Sequence, residues 1–160
     1  MFLGVGLLKV LIVYDSASVN KNTEKVAEAI RDTLKTKGID VQSYYVENVN
    51  VSTVKDCDCL VVGSPTQAWR ATALIRDFLD NLKAENFAGK RAAAFDTRIK
   101  SRLSGGAIGG IESKLKQLGF KIVAPGLVAY VEGKQTDPVL IDGELDKAKE
   151  FAEELSKALS

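Results

Sequence analysis

The stretch 9–30, KVLIVYDSASVNKNTEKVAEAI, constrains the fold more than any other part of the chain. Residues 10–14 form a continuous apolar, mostly β-branched run, the pattern of a strand buried on both faces. Residues 15–22 are small and polar. From Thr23 onward Val26, Ala27 and Ile30 recur at helical spacing, with Glu24, Lys25 and Glu28 on the opposite face. A strand, a polar loop and a helix start in that order place unpaired N–H groups and the positive end of a helix dipole at the loop, which suits an anion. Ser16, Ser18 and Thr23 would add hydroxyl groups for phosphate oxygens. The plainer alternative is an ordinary βα connection in which Asn22 or Thr23 caps the helix.

The rest of the chain repeats this alternation. Gly38 is expected to stop the first helix, and residues 39–46 form a more polar, edge-type strand. A short helical turn falls near 52–55. Residues 59–63 are a second buried strand, running into Ser64-Pro65-Thr66-Gln67-Ala68-Trp69-Arg70. Leu74, Ile75, Phe78, Leu79 and Leu82 make a helical stripe. Residues 91–95 are a third buried strand, leading into Asp96-Thr97-Arg98 and the glycine-rich stretch 104–110. Ile111, Leu115 and Leu118 mark a helix that Gly119 ends. A last strand over 121–131 is bent at Pro125-Gly126, a loop covers 133–143, and 144–159 is an amphipathic helix.

Strands alternating with helices imply a parallel sheet covered on both sides. The expected fold class is α/β, a three-layer α/β/α sandwich whose five-stranded parallel sheet has the order 2-1-3-4-5 and a switch point between its first and third strands. One domain is expected over 1–160, with residues 1–8 as a frayed extension, a lengthened first strand or the product of an early start codon. Three loops, 15–22, 64–70 and 96–106, should meet at the carboxyl ends of the strands.

Composition narrows the function. A net charge of +1 argues against nucleic acid held on a basic face. The absence of histidine excludes His-based triads, ligands and proton shuttles. Cys57 and Cys59 lack the CxxC spacing, and they read as reduced, partly buried thiols of a cytoplasmic protein. Lys9 interrupts the apolar start before it is long enough to span a membrane, and that start lacks the features of a signal peptide.

The segments VLIVYDS, NTEKVAEAI, VVGSPTQAW and AAAFDTR, at their spacing, resemble the flavodoxin family over essentially the whole chain after Leu8. The likeness is greatest to a short-chain subgroup whose fourth strand ends in Phe-Asp-Thr-Arg and continues into a Ser-Gly-containing helix start, here Ser104-Gly105-Gly106. The resemblance implies a flavodoxin-like fold, FMN as cofactor and electron transfer between redox partner proteins. It also implies roles by position. Ser16, Ala17, Ser18, Lys21, Asn22 and Thr23 would surround the FMN phosphate. Ser64, Pro65, Thr66, Gln67, Ala68 and Trp69 would form one wall of the isoalloxazine site, with Trp69 as the stacking aromatic. Asp96, Thr97, Arg98 and Gly105 would form the other. Arg98 either stabilises a reduced, anionic ring by Coulomb attraction or pairs with Asp96 or another nearby carboxylate.

The first loop departs from the family pattern. Flavodoxins usually place glycine directly before the Asn-Thr pair, whereas Val19-Asn20-Lys21 stands there and lengthens the loop by two residues. Asn20 tolerates a left-handed backbone, and Lys21 would add a charge. Two other readings therefore stand beside the electron carrier. One is a flavin-free interaction or regulatory domain of the same fold. The other is an FMN-dependent quinone or flavin reductase, with the glycines of 104–110 leaving room for a second ligand.

Overall fold

The structure, a computed structural model, describes residues 7–101 and 105–160. Ser104 and most of the N-terminal extension lie outside the described residues. The elements are β1 (Lys9–Tyr14), α1 (Asn22–Thr36), β2 (Asp40–Tyr45), a 3-10 turn (Val46–Asn48), α2 (Val51–Lys55), β3 (Cys59–Pro65), α3 (Ala73–Asn81), β4 (Arg91–Ile99), α4 (Ile108–Gln117), β5 (Lys121–Ile122), β6 (Leu127–Glu132), β7 (Val139–Leu140) and α5 (Glu144–Leu159).

The sheet runs β2-β1-β3-β4-β6-β7, with β5 also on β4. Pairing is parallel throughout except for the β6–β7 hairpin. This is the expected doubly wound order with two differences of detail. The last long strand is delivered in two pieces, because the chain breaks at Pro125-Gly126, where a proline cannot donate to the ladder. The segment 133–143, expected as loop alone, returns as β7 against the edge of β6. Helix α4 begins at Ile108 rather than at Ile111, so Gly109 and Gly110 lie in its first turn.

Period-two alternation within continuous apolar strands builds two cores. Val10, Ile12, Val61, Ala93 and Phe95 face α1 and α5, meeting Ile30, Leu34, Ala152 and Leu155. Leu11, Val13, Leu60, Val62, Ala92 and Ala94 face α3 and α4, meeting Ile75, Leu79, Ile111 and Leu115. Each fully buried Val, Leu, Ile or Phe side chain among these contributes about 1.5–3 kcal/mol. Gly38 ends α1 with φ of 79°, a left-handed turn that favours glycine.

The cysteines divide between these cores. Cys59 belongs to the α1–α5 side, whereas Cys57, which precedes β3, belongs to the other and donates its thiol to Val54 O at 3.1 Å. Burial pushes the thiols up from 9.0, to about 11 for Cys57 and about 12 for Cys59. A neutral buried thiol with a raised folded pKa stabilises the fold fully below the unfolded value and ceases to do so as pH rises through the folded value. Stability measured by urea unfolding should therefore fall between about pH 9 and pH 12. Cys57→Ala/Cys59→Ala should flatten that fall, and an unchanged slope would assign it to other groups.

Candidate functional site

The carboxyl ends of β1, β3 and β4 lie side by side at one end of the sheet: Tyr14 registers with Gly63 and Gly63 with Phe95, β3 runs on to Pro65 opposite Thr97, and β4 runs on to Ile99. The loops they release surround a cleft of about 690 Å³. Its lining includes Ala17, Ser18, Asn22 and Thr23 from the first loop and α1, Pro65 to Trp69 from the second, and Thr97 and Arg98 from β4. Ile99, Val131, Gln135, Thr136 and Pro138 complete it. Ile99 falls within the expected third loop, 96–106, whereas sequence reasoning missed the other four. The rule that ligands sit outside the carboxyl ends of strands extends equally to the loop after the last strand, and would have found the hairpin residues.

The first loop is built differently from expectation. Neither Asn22 nor Thr23 caps α1, because both lie inside it. The cap position is Lys21, with φ of 54° and ψ of 44° and no side-chain capping bond. Lys21, not Asn20, takes the left-handed conformation at the position where the family usually has glycine. Its side chain is exposed and is not part of the cleft lining. Ser16 is buried, and its hydroxyl accepts the Glu24 N–H at 3.3 Å, doing the capping from a distance. The first intrahelical bond runs from Lys25 N–H to Lys21 O, so the N–H groups of Asn22 and Thr23 precede it at the helix terminus. Asn22 is 3% exposed, and its Oδ1 is buried with no hydrogen-bond partner. Thr23 and Thr97 share a hydroxyl–hydroxyl bond of 2.8 Å that ties α1 to β4.

A left-handed lysine costs about 1–2 kcal/mol relative to a relaxed backbone. Lys21→Gly is therefore expected to raise stability by up to about 1 kcal/mol, the remainder being lost to the greater freedom of glycine in the unfolded chain. A thermal melt that shows destabilisation would remove strain at Lys21 from the account.

The second loop is a tight turn closed by Gln67 N–H to Arg70 O at 2.8 Å and Arg70 N–H to Gln67 O at 3.1 Å. Ala68 and Trp69 occupy its centre with φ of 48° and 66°, both left-handed without glycine. This strained turn carries Trp69 at the cleft with 64% of its surface exposed. A Cβ on Gly105 would lie 3.3 Å from Trp69 Cδ1, so the glycine backbone abuts the indole. Ser64 is buried, donates to Pro65 O at 2.8 Å and accepts the Thr72 N–H at 3.0 Å, which shapes the loop without lining the cleft.

Asp96 organises the third wall from beneath. It is fully buried, and its Oδ2 accepts from Arg98 Nη2 at 2.7 Å, Thr66 Oγ1 at 2.8 Å and the Ala107 N–H at 3.1 Å. One carboxylate thus joins the second loop, β4 and the approach to α4. Of the two readings of Arg98, the structure has the ion pair with Asp96, while Arg98 still lines the cleft. A methyl on Gly106 would fall on the Arg98 guanidinium, so a larger residue there would displace that guanidinium from its present position. Among the described residues no cluster of His, Cys, Asp and Glu could hold a metal ion, and no helix is long and apolar enough to cross a membrane.

FMN fits what these residues offer. The helix-terminal N–H groups suit phosphate oxygens, and the orphan Asn22 Oδ1 needs a donor such as a ribityl hydroxyl. Trp69 offers an exposed aromatic face to a flat ring.

A cleft at the switch point of a doubly wound sheet is the place where proteins of this architecture bind their ligands. Residues 12–143 match the flavodoxin family. The chain is 32% identical over 140 residues to a flavodoxin of Aquifex aeolicus, covering 80% of this chain and 70% of that one. It is 34% identical over 118 residues to a putative diflavin flavoprotein of Synechocystis, covering 71% of this chain but only 19% of that larger protein. Flavodoxin 1 of Bacillus cereus shares the fold with a TM-score of 0.80 at 22% identity, covering 95% of this chain and 99% of that one. The chain belongs to the flavodoxin family, and as such it is an FMN-binding electron-transfer protein.

Proposed function

We propose that the chain carries electrons between redox partner proteins in the cytoplasm, with FMN held in the cleft. The observation that carries this reading is the buried, unpartnered Asn22 Oδ1 beside the N-terminus of α1 in a cleft framed by three loops. Ser18, Asn22 and Thr23, with the N–H groups of α1, would hold the phosphate and ribityl end, while Ser16 keeps the helix terminus in place. Pro65 to Trp69 would form one wall of the ring site, with Thr97 and Arg98 opposite and Ser64, Asp96 and Gly105 as their supports. Lys21 adds charge at the rim rather than a contact in the cleft.

The chemistry comes from the isoalloxazine ring of FMN, which takes up and returns electrons. The chain's own residues position and tune it. Trp69 covers apolar surface and excludes water from one face. Arg98 brings positive charge, but Asp96 at 2.7 Å offsets it, so the pair stabilises a reduced, anionic ring less than a free guanidinium would.

The test is a titration of stripped protein with FMN, followed in tryptophan and flavin fluorescence. Trp69 is the only tryptophan in the chain. Saturable mutual quenching is expected. Two flat signals would overturn the reading and favour a flavin-free interaction domain.

A further inference from the structure

Three hydrogen bonds tie the first loop to the chain between β6 and β7. Asn20 Nδ2 donates to Asp137 O at 3.1 Å and to Pro138 O at 2.9 Å, and Asn22 Nδ2 donates to Pro138 O at 2.8 Å. Asn20 lies in Val19-Asn20-Lys21, the segment in which this loop departs from the family pattern. The carbonyls it holds belong to the tip of a hairpin whose strands pair through Val131–Leu140 and Glu132–Val139. That hairpin lines the cleft with Gln135, Thr136 and Pro138. Because Asn22 contributes to both the latch and the cleft, the hairpin stands at the phosphate-facing end, not at the Trp69 end.

From this we infer that the β6–β7 hairpin is a fourth wall of the cofactor site, latched by Asn20, and that Thr136 and Gln135 hydrogen-bond the phosphate and ribityl end of FMN. The inference rests on the FMN reading above. The Thr136 hydroxyl and the Gln135 carboxamide can both donate to phosphate oxygens, and both can accept from ribityl hydroxyls. They are exposed in the structure, and a ligand in the cleft would give them partners without desolvating a fixed charge. The departure in the first loop thus supplies the contact that recruits a fourth segment to the site.

The experiment uses the whole chain and three variants: Asn20→Asp, which keeps the shape and removes the amide donor, Gln135→Ala/Thr136→Ala, and their combination. FMN dissociation constants and off-rates are measured by fluorescence, and trypsin cleavage after the exposed Lys134 reports the hairpin directly. Each change is expected to weaken FMN about tenfold, mostly through a faster off-rate. The combination should cost less than the product of the two, since an unlatched hairpin has little left to lose. FMN should protect Lys134 in the wild type and less so in Asn20→Asp. Wild-type affinity in Gln135→Ala/Thr136→Ala would overturn the fourth wall, and wild-type affinity in Asn20→Asp or fully multiplicative losses would overturn the Asn20 latch, each leaving the FMN site standing. A wild-type chain that binds no FMN would take down both. Should Asn20→Asp melt far below the wild type, the Gln135→Ala/Thr136→Ala variant alone decides, because the side chains it removes are exposed.

Discussion

Asp96→Ala is expected to destabilise the protein by about 3 kcal/mol, the range for removing one partner of a buried, hydrogen-bonded ion pair. The carboxylate is fully buried, and three groups depend on it: Arg98 at 2.7 Å, Thr66 of the second loop at 2.8 Å and the Ala107 N–H at 3.1 Å. Alanine would leave a guanidinium with 17% side-chain exposure short of its counter-charge. Ala107 N–H would keep the Thr66 hydroxyl at 3.0 Å, which limits the loss. Urea unfolding of Asp96→Ala, Arg98→Ala and the double variant separates the terms. Arg98→Ala should cost less, because Asp96 retains Thr66 and Ala107 as donors. Equal losses in the two single variants would show that the ion pair, and not the wider junction, is what matters.

Gly63→Ala should be as damaging by a different route. Gly63 and Phe95 are register partners on β3 and β4, and a methyl built on Gly63 would fall inside the Phe95 ring. That ring is fully buried in the α1–α5 core and cannot swing away into solvent. Overpacking of this kind typically costs about 1–3 kcal/mol, and the rigidity of the neighbour places this case at the upper end. The double variant Gly63→Ala/Phe95→Leu should recover part of the loss. No recovery in a thermal melt would mean that backbone displacement in β3 dominates.

The parallel core was legible because both of its signals are local. Residues 10–14 and 59–62 are apolar on every position, as a strand covered on both faces must be, and α5 was read at its observed bounds, 144–159, from its stripe and the preceding Gly143. The three-loop convergence followed from the strand order alone. The hairpin did not, because β7 has two residues and owes its pairing to β6 rather than to any periodicity of its own. The left-handed residues were also out of reach. Lys21, Ala68 and Trp69 take positive φ because hydrogen bonds around them over-determine the turn, a tertiary effect that residue type does not signal. Arg98 could be narrowed to two roles but not to one, since the choice depends on how Asp96 is oriented by Thr66 and Ala107.

The separation of the two cysteines has a consequence for how electrons are counted. Cys57 and Cys59 are free thiols that pack into different cores, so they are not set up to exchange a pair of electrons by closing on each other. They are the only cysteines in the chain. In a reductive titration the polypeptide therefore adds no internal dithiol to the tally, and every equivalent consumed by a loaded monomer can be assigned to its flavin.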